Sequence, residues 1–180
     1  MRTLILVIAF LCGGVAAQAQ FSRASLQASG LTCSMCSKAV KEALEQVPFV
    51  EKVQVDIKNQ KYNLSFRPDS TVDFDALVHA VDDAGFSVAA LQVTAELPYG
   101  AAPAKDEHLK IGTQYFHFLN APGTAPAGPV TFSIVDKGFV PAKEHKKWSA
   151  ASKAACVKTG RAAACCLRSG ADARVFHVII

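Results

Sequence analysis

The sequence predicts an α+β protein: a β-α-β-β-α-β unit fills its first half, and a small β-rich unit with one helix follows. Three observations predict this. Two runs of strict apolar/polar alternation, Val53–Ile57 and Tyr62–Phe66, are separated only by the polar turn Lys58-Asn59-Gln60. Apolar residues at helical spacing flank that hairpin on both sides. A Pro-, Gly- and Ala-rich stretch beginning at Pro98 then separates this unit from residues of different texture.

The elements follow in order. An opening strand lies near Leu26–Ser29. Cys36, Val40, Ala43 and Val47 then line one face of a helix, with Ala39 and Leu44 beside them, and Pro48 ends it. In the hairpin, Val53, Val55 and Ile57 share one face, and Tyr62, Leu64 and Phe66 do the same on the second strand. Phe74, Leu77, Val78 and Val81 recur at i, i+3, i+4 and i+7, which is an amphipathic helix, and Gly85 is placed to end it. Leu91, Val93, Ala95 and Leu97 alternate as a last strand. This order is the split βαβ of the ferredoxin-like fold. The predicted boundaries are 20–97 for this unit, 98–106 for a linker and 107–180 for the β-rich unit. In the latter, Leu109–Leu119 and Val130–Val135 read as strands and Pro141–Lys153 as a helix with Pro141 at its start. Arg174–Ile180 reads as a strand apolar on both faces, and so covered on both sides. The lysines at 143, 146 and 147 read as a solvated helix face.

The beginning of the chain sets an expected compartment. Arg2, the apolar run Leu4–Leu11 and the small residues ending at Ala17-Gln18-Ala19 have the pattern of a secretory signal peptide, residues 1–19. A lipid anchor at Cys12 is the alternative, but bulky Phe10 and Leu11 precede it. The apolar run is short of the roughly 20 residues a membrane span needs, and no later segment is long and apolar enough. The expected location is therefore periplasmic or secreted, with no membrane span after cleavage. A formal charge of +4 with no basic stripe interleaved with aromatics argues against nucleic acid as a partner. No Ser-His-Asp order, phosphate loop or paired-carboxylate pattern stands out, so no enzyme is expected.

Six cysteines become five without Cys12, and an odd count in an oxidising compartment leaves at least one thiol unpaired, metal-bound or intermolecular. Cys33 and Cys36 fall where a strand ends and a helix begins. Two-residue spacing lets both sulfurs converge on one point, and helix N-terminal amides favour thiolates there. Two thiolates make a soft site suited to Cu(I) or another thiophilic ion, and an open loop leaves room for an incoming ligand. Spacing alone leaves a redox pair and an inert disulfide open as well.

The stretch Gly30-Leu31-Thr32-Cys33-Ser34-Met35-Cys36, with helix, hairpin, helix and Ala84-Gly85-Phe86 after it, resembles the heavy-metal-associated domain family over about residues 25–93. That family includes copper chaperones, the metal-binding domains of copper-transporting ATPases and the periplasmic mercury-binding protein. The resemblance implies that Cys33 and Cys36 are the metal ligands, and that Phe86 is the aromatic packed near the metal loop. Leu31 departs from the family's usual methionine, a core-facing residue whose volume leucine conserves. Met35 as a third ligand is weighed against an exposed loop residue. The implied function is an exported metal carrier or scavenger, for Cu(I) first and for Hg(II) or Zn(II) behind it. Its partners would be the metal ion and a metal-transporting membrane protein or another carrier. The alternatives are a thiol-disulfide oxidoreductase using the same pair, although neither the Trp nor the Gly-Pro of thioredoxin-like sites is present, and an interaction protein acting through its second half.

Cys156, Cys165 and Cys166 belong to that second half, with His145 and His177 flanking them in sequence and His117 a candidate to lie nearby. A disulfide from Cys156 to Cys165 or Cys166 is the favoured expectation, because small domains need staples. A second soft-metal site with those imidazoles is the alternative.

Overall fold

The computed structural model describes residues 21–68, 70–163, 166 and 172–180. The signal-peptide expectation for 1–19 lies outside the described residues, as does Cys165. The elements are β1 (Phe21–Ser29), α1 (Ser34–Glu45), β2 (Val50–Asp56), β3 (Lys61–Phe66), α2 (Phe74–Asp83), β4 (Ser87–Ala95), β5 (Glu107–Ile111), β6 (Gln114–Asn120), β7 (Val130–Ile134), α3 (Ala142–Ser149), α4 (Cys156–Thr159) and β8 (Val175–Ile179).

The β-α-β-β-α-β order is present, and local chemistry sets its corners. Asp56 accepts from the Asn59 backbone and side-chain amides at 3.1 and 2.7 Å, which closes the β2–β3 turn. Asp73 caps α2 by accepting from the Asp75 and Ala76 amides. Gly85, at φ +85°, ends α2: its amide donates to the Asp82 carbonyl at 2.8 Å and that of Phe86 to Val81 at 3.1 Å. This is a Schellman turn, which glycine adopts without steric cost. Phe74, Leu77, Val78 and Val81 are all buried, as their spacing predicts.

The two halves share a sheet. Its order is β2-β3-β1-β4-β7-β8-β6-β5, with β4 antiparallel to β7 through the register Leu91–Ile134 to Ala95–Val130. The 98–106 stretch divides the halves in sequence but not in space. Pro103 is buried within it, and its carbonyl accepts from Gly123 at 3.0 Å. One hydrophobic core runs through both halves: the Phe74 ring lies 5.0 Å from Phe21, 6.2 Å from Phe116 and 5.5 Å from Phe176. Arg174 adds a polar tie, pairing with Asp75 of α2 at 3.0 Å and with Asp136 at 3.1 Å.

Three expectations for the second half are corrected. The apolar run Leu109–Leu119 is a hairpin, β5 and β6, because Gly112 at φ +60° reverses the chain between them. The helix expected over Pro141–Lys153 is shorter and closes at Ser149. A second, four-residue helix, α4, follows it, so this half holds two helices rather than one. β8 is covered on both faces: Phe176 and Val178 join the main core, and Val175 and Ile179 pack in a second cluster with Leu119, Cys156 and Val157. Among the described residues no helix is long and apolar enough to cross a membrane.

Candidate metal centre

The loop from Gly30 to Cys33 joins β1 to α1, with Cys36 in the first turn of the helix, and its geometry follows from three residues. Gly30 has φ +84°, a conformation that turns the chain off the strand and that side-chain-bearing residues rarely adopt. The Phe86 ring lies 3.8 Å from the place a Gly30 Cβ would take, so the aromatic packs beside the loop as the resemblance implied. Leu31 packs half-buried against the main core and anchors the loop from below. Tyr62, buried on β3, donates its hydroxyl to the Ser37 carbonyl at 3.3 Å and ties the first turn of α1 to the sheet.

Cys33 is the N-cap of α1, with extended backbone, and its sulfur accepts from the Cys36 amide at 3.4 Å. A sulfur thus takes the capping position usually filled by oxygen. The two sulfurs lie 2.8 Å apart, Cys33 exposed and Cys36 half-buried. The hydrogen bond between them is the main cause that brings the Cys36 thiol down to about 7; hydrogen bonds with the Thr32 backbone and hydroxyl add to it. A substantial fraction of Cys36 is therefore thiolate at neutral pH, the form that binds metal and attacks electrophiles. Met35, between them in sequence, is 68% exposed, and lies in the first turn of α1 rather than in the loop.

A groove of about 430 Å³ opens beside Cys33, lined by Leu31, Ser37, Lys38, Lys41, Val55 and Tyr62 among others. Its floor is apolar and its rim carries the two lysines, each also paired along the helix with Glu42 or Glu45.

The second half gathers histidine and cysteine on its own. Among the described residues, ligand atoms of His117, Cys156 and His177 lie within 4.8 Å of one another, as do those of His108, Cys156 and Cys166. Sequence reading placed His117 and His177 near Cys156 but missed His108. The missed signal is cross-strand register, which one strand's pattern does not carry: His108 pairs with His117, and His117 with His177, across β5, β6 and β8. His145, also considered, lies instead by the Val135 carbonyl at 3.2 Å and within reach of Ser149.

The heavy-metal-associated domain family matches residues 25–87. A probable copper-transporting ATPase of Arabidopsis thaliana is 32% identical over 71 residues, 39% of this chain and 7% of that protein. A copper-transporting ATPase of Oryza sativa subsp. japonica is 38% identical over 61 residues, 34% of this chain and 6% of the relative. This chain thus spans less than a tenth of the length of these curated relatives. Among solved structures, oxidized MerP from Ralstonia metallidurans CH34 is 30% identical, covering 39% of this chain and 96% of its own, at a TM-score of 0.35. The CopZ metallochaperone is 28% identical, covering 37% of this chain and 98% of its own, at 0.34.

Proposed function

We propose that this chain, which carries a heavy-metal-associated domain over residues 25–87, holds a soft metal ion between Cys33 and Cys36 and passes it on unchanged. The carrying observation is the pair of convergent sulfurs, 2.8 Å apart at the start of α1, one exposed and one already near half-ionised at neutral pH. Two thiolates in near-linear or trigonal arrangement suit the soft ions Cu(I) and Hg(II), while Zn(II) prefers four donors. The likeness to copper-transporting ATPases supports copper, with mercury as the next reading. The ion is cargo: nothing in the loop carries a substrate to a reaction, so the proposed role is carrier or scavenger and not enzyme.

Exposure gives the transfer its route. An incoming thiolate would reach the ion from the open side and displace one protein sulfur, and a second incoming thiolate would displace the other and complete the transfer. The groove with Lys38 and Lys41 on its rim suits a delivery partner with an acidic rim, such as a metal-transporting membrane protein or another carrier. The leader-like first residues support export to a periplasm or beyond.

Cu(I) titration of the full chain against a competing chelator, reduced and anaerobic, tests the reading. Changing Cys33→Ser together with Cys36→Ser should remove one high-affinity equivalent while the far-ultraviolet circular dichroism stays unchanged. An unchanged stoichiometry and affinity would refute it. Insulin reduction by the unaltered protein, abolished by the same changes, would establish the oxidoreductase instead.

A further inference from the structure

We propose that His117, Cys156 and His177 form a second metal site, for a borderline divalent ion of the Zn(II) type, inside the second half of the chain. The three are buried, at 0%, 0% and 2% exposure, and come from β6, α4 and β8. Such side chains do not meet by packing preference alone: two imidazoles and a thiol replace what would otherwise be apolar residues between the sheet and α4.

Three observations carry the assignment. First, the distance is right. The Cys156 Sγ lies 3.6 Å from His117 Nδ1. A tetrahedral ion with metal–sulfur and metal–nitrogen bonds of about 2.3 and 2.05 Å separates those donors by about 3.6 Å. Second, His177 Nε2 is buried with no hydrogen-bond partner among the described residues. Its other nitrogen, Nδ1, lies 2.6 Å from Asp136 Oδ1, a carboxylate also paired with Arg174. With Nδ1–H donating to that carboxylate, the lone pair of the ring lies on Nε2, facing the buried interior. Third, His117 repeats the arrangement: Nε2 lies 3.2 Å from Asp106 and Nδ1 faces the sulfur. Carboxylate–histidine pairs that present the opposite nitrogen are the outer support of metal sites, orienting the ring and fixing its tautomer.

His108 and Cys166 flank the same sulfur. His108 Nε2 is 3.5 Å from Cys156 Sγ, and its ring stacks on His117 at 4.1 Å. Stacked, near-parallel rings do not direct their in-plane lone pairs at one ion, so the second trio does not add to the first. The trio with His177 is preferred because both its imidazoles are carboxylate-backed. Binding expels one proton, from the Cys156 thiol, to solvent.

The experiment uses the full chain with Cys33→Ser and Cys36→Ser, reduced and anaerobic, titrated with Co(II) and then Zn(II). One equivalent of Co(II) should bind, with a near-ultraviolet sulfur-to-cobalt band and intense visible d–d bands of a four-coordinate ion, and Zn(II) should displace it. Adding Cys156→Ser, a near-isosteric change, should abolish the charge-transfer band and weaken Zn(II) by more than the 10–100-fold of an outer-sphere change. His177→Gln should weaken it at least about 10-fold, whereas Cys166→Ser should keep the band. Absence of any thiolate band in the parent overturns the site, whatever the variants do. Zn(II) held as tightly after Cys156→Ser overturns it too. A band lost with Cys166→Ser but kept with His177→Gln overturns this choice of ligands. Since the first site is silenced throughout, none of these outcomes bears on Cys33 and Cys36.

Discussion

Phe74→Ala tests whether the two halves fold as one unit. The Phe74 side chain is fully buried at the start of α2, with ring neighbours from both halves: Phe21 at 5.0 Å, Phe176 at 5.5 Å and Phe116 at 6.2 Å. Removing a buried phenyl ring costs about 3–5 kcal/mol in lost transfer energy and residual cavity. Edge-on aromatic pairs contribute about 0.5–1.5 kcal/mol each beyond area. Because three such pairs disappear here, and β1, β6 and β8 are held in a sheet that resists collapse into the space, the upper part of the range, about 4–5 kcal/mol, is expected. For a chain of this length that lowers Tm by roughly 10–20 °C. The assay is urea unfolding followed by Trp148 fluorescence, a probe in the second half, and by circular dichroism, which reports both. A shared core predicts one transition at the same midpoint by both probes, shifted equally by the mutation. Two separable transitions, with only the first displaced, would refute the shared core and return the chain to two independent domains.

Two further outcomes follow from ionisation. Alkylation of Cys36 by iodoacetamide in metal-free protein should rise with a midpoint near pH 7. Cys33→Ala, which removes the main stabilising hydrogen bond, should move that midpoint upward toward the ordinary thiol range of about 8.5; an unmoved midpoint would mean that the Thr32 contacts carry the effect. Acid should destabilise the metal-free protein through His117, which burial holds at about 4. Below its unfolded value of about 6.5 the unfolded chain takes up a proton that the native one refuses, so stability falls as pH drops from about 6.5 to 4 and is fully present above. Thermal melts across pH 4–7.5 check this, with His117→Gln expected to flatten the slope.

The first site was legible because its signal is local. Gly30, Cys33 and Cys36 lie within seven residues, and the cap geometry that brings two sulfurs together follows from backbone conformation at one helix start. Its supporting residues were legible through the family resemblance, which implied a core-facing residue at Leu31 and an aromatic beside the loop at Phe86. The second cluster has no such signature. His108, His117, Cys156 and His177 are spread over some seventy positions, and only strand register and the docking of α4 bring them within reach.

The sequence by itself determined which segments alternate, which turn and which carry apolar faces, because those are set by periods of two and of 3.6 residues along one chain. It therefore determined α1, α2, the β2–β3 hairpin, the glycine stop at Gly85 and the doubly covered strand β8. Tertiary structure alone decided that β4, the edge of the β-α-β-β-α-β unit, accepts β7 and so joins both halves into one sheet. An edge strand exposes hydrogen-bonding groups that any compatible strand can satisfy. Which strand does so depends on where the chain's other apolar faces are buried, and in this protein Phe116 packs against Phe21 and Phe74, Phe176 against Phe74, and Phe132 against Phe116.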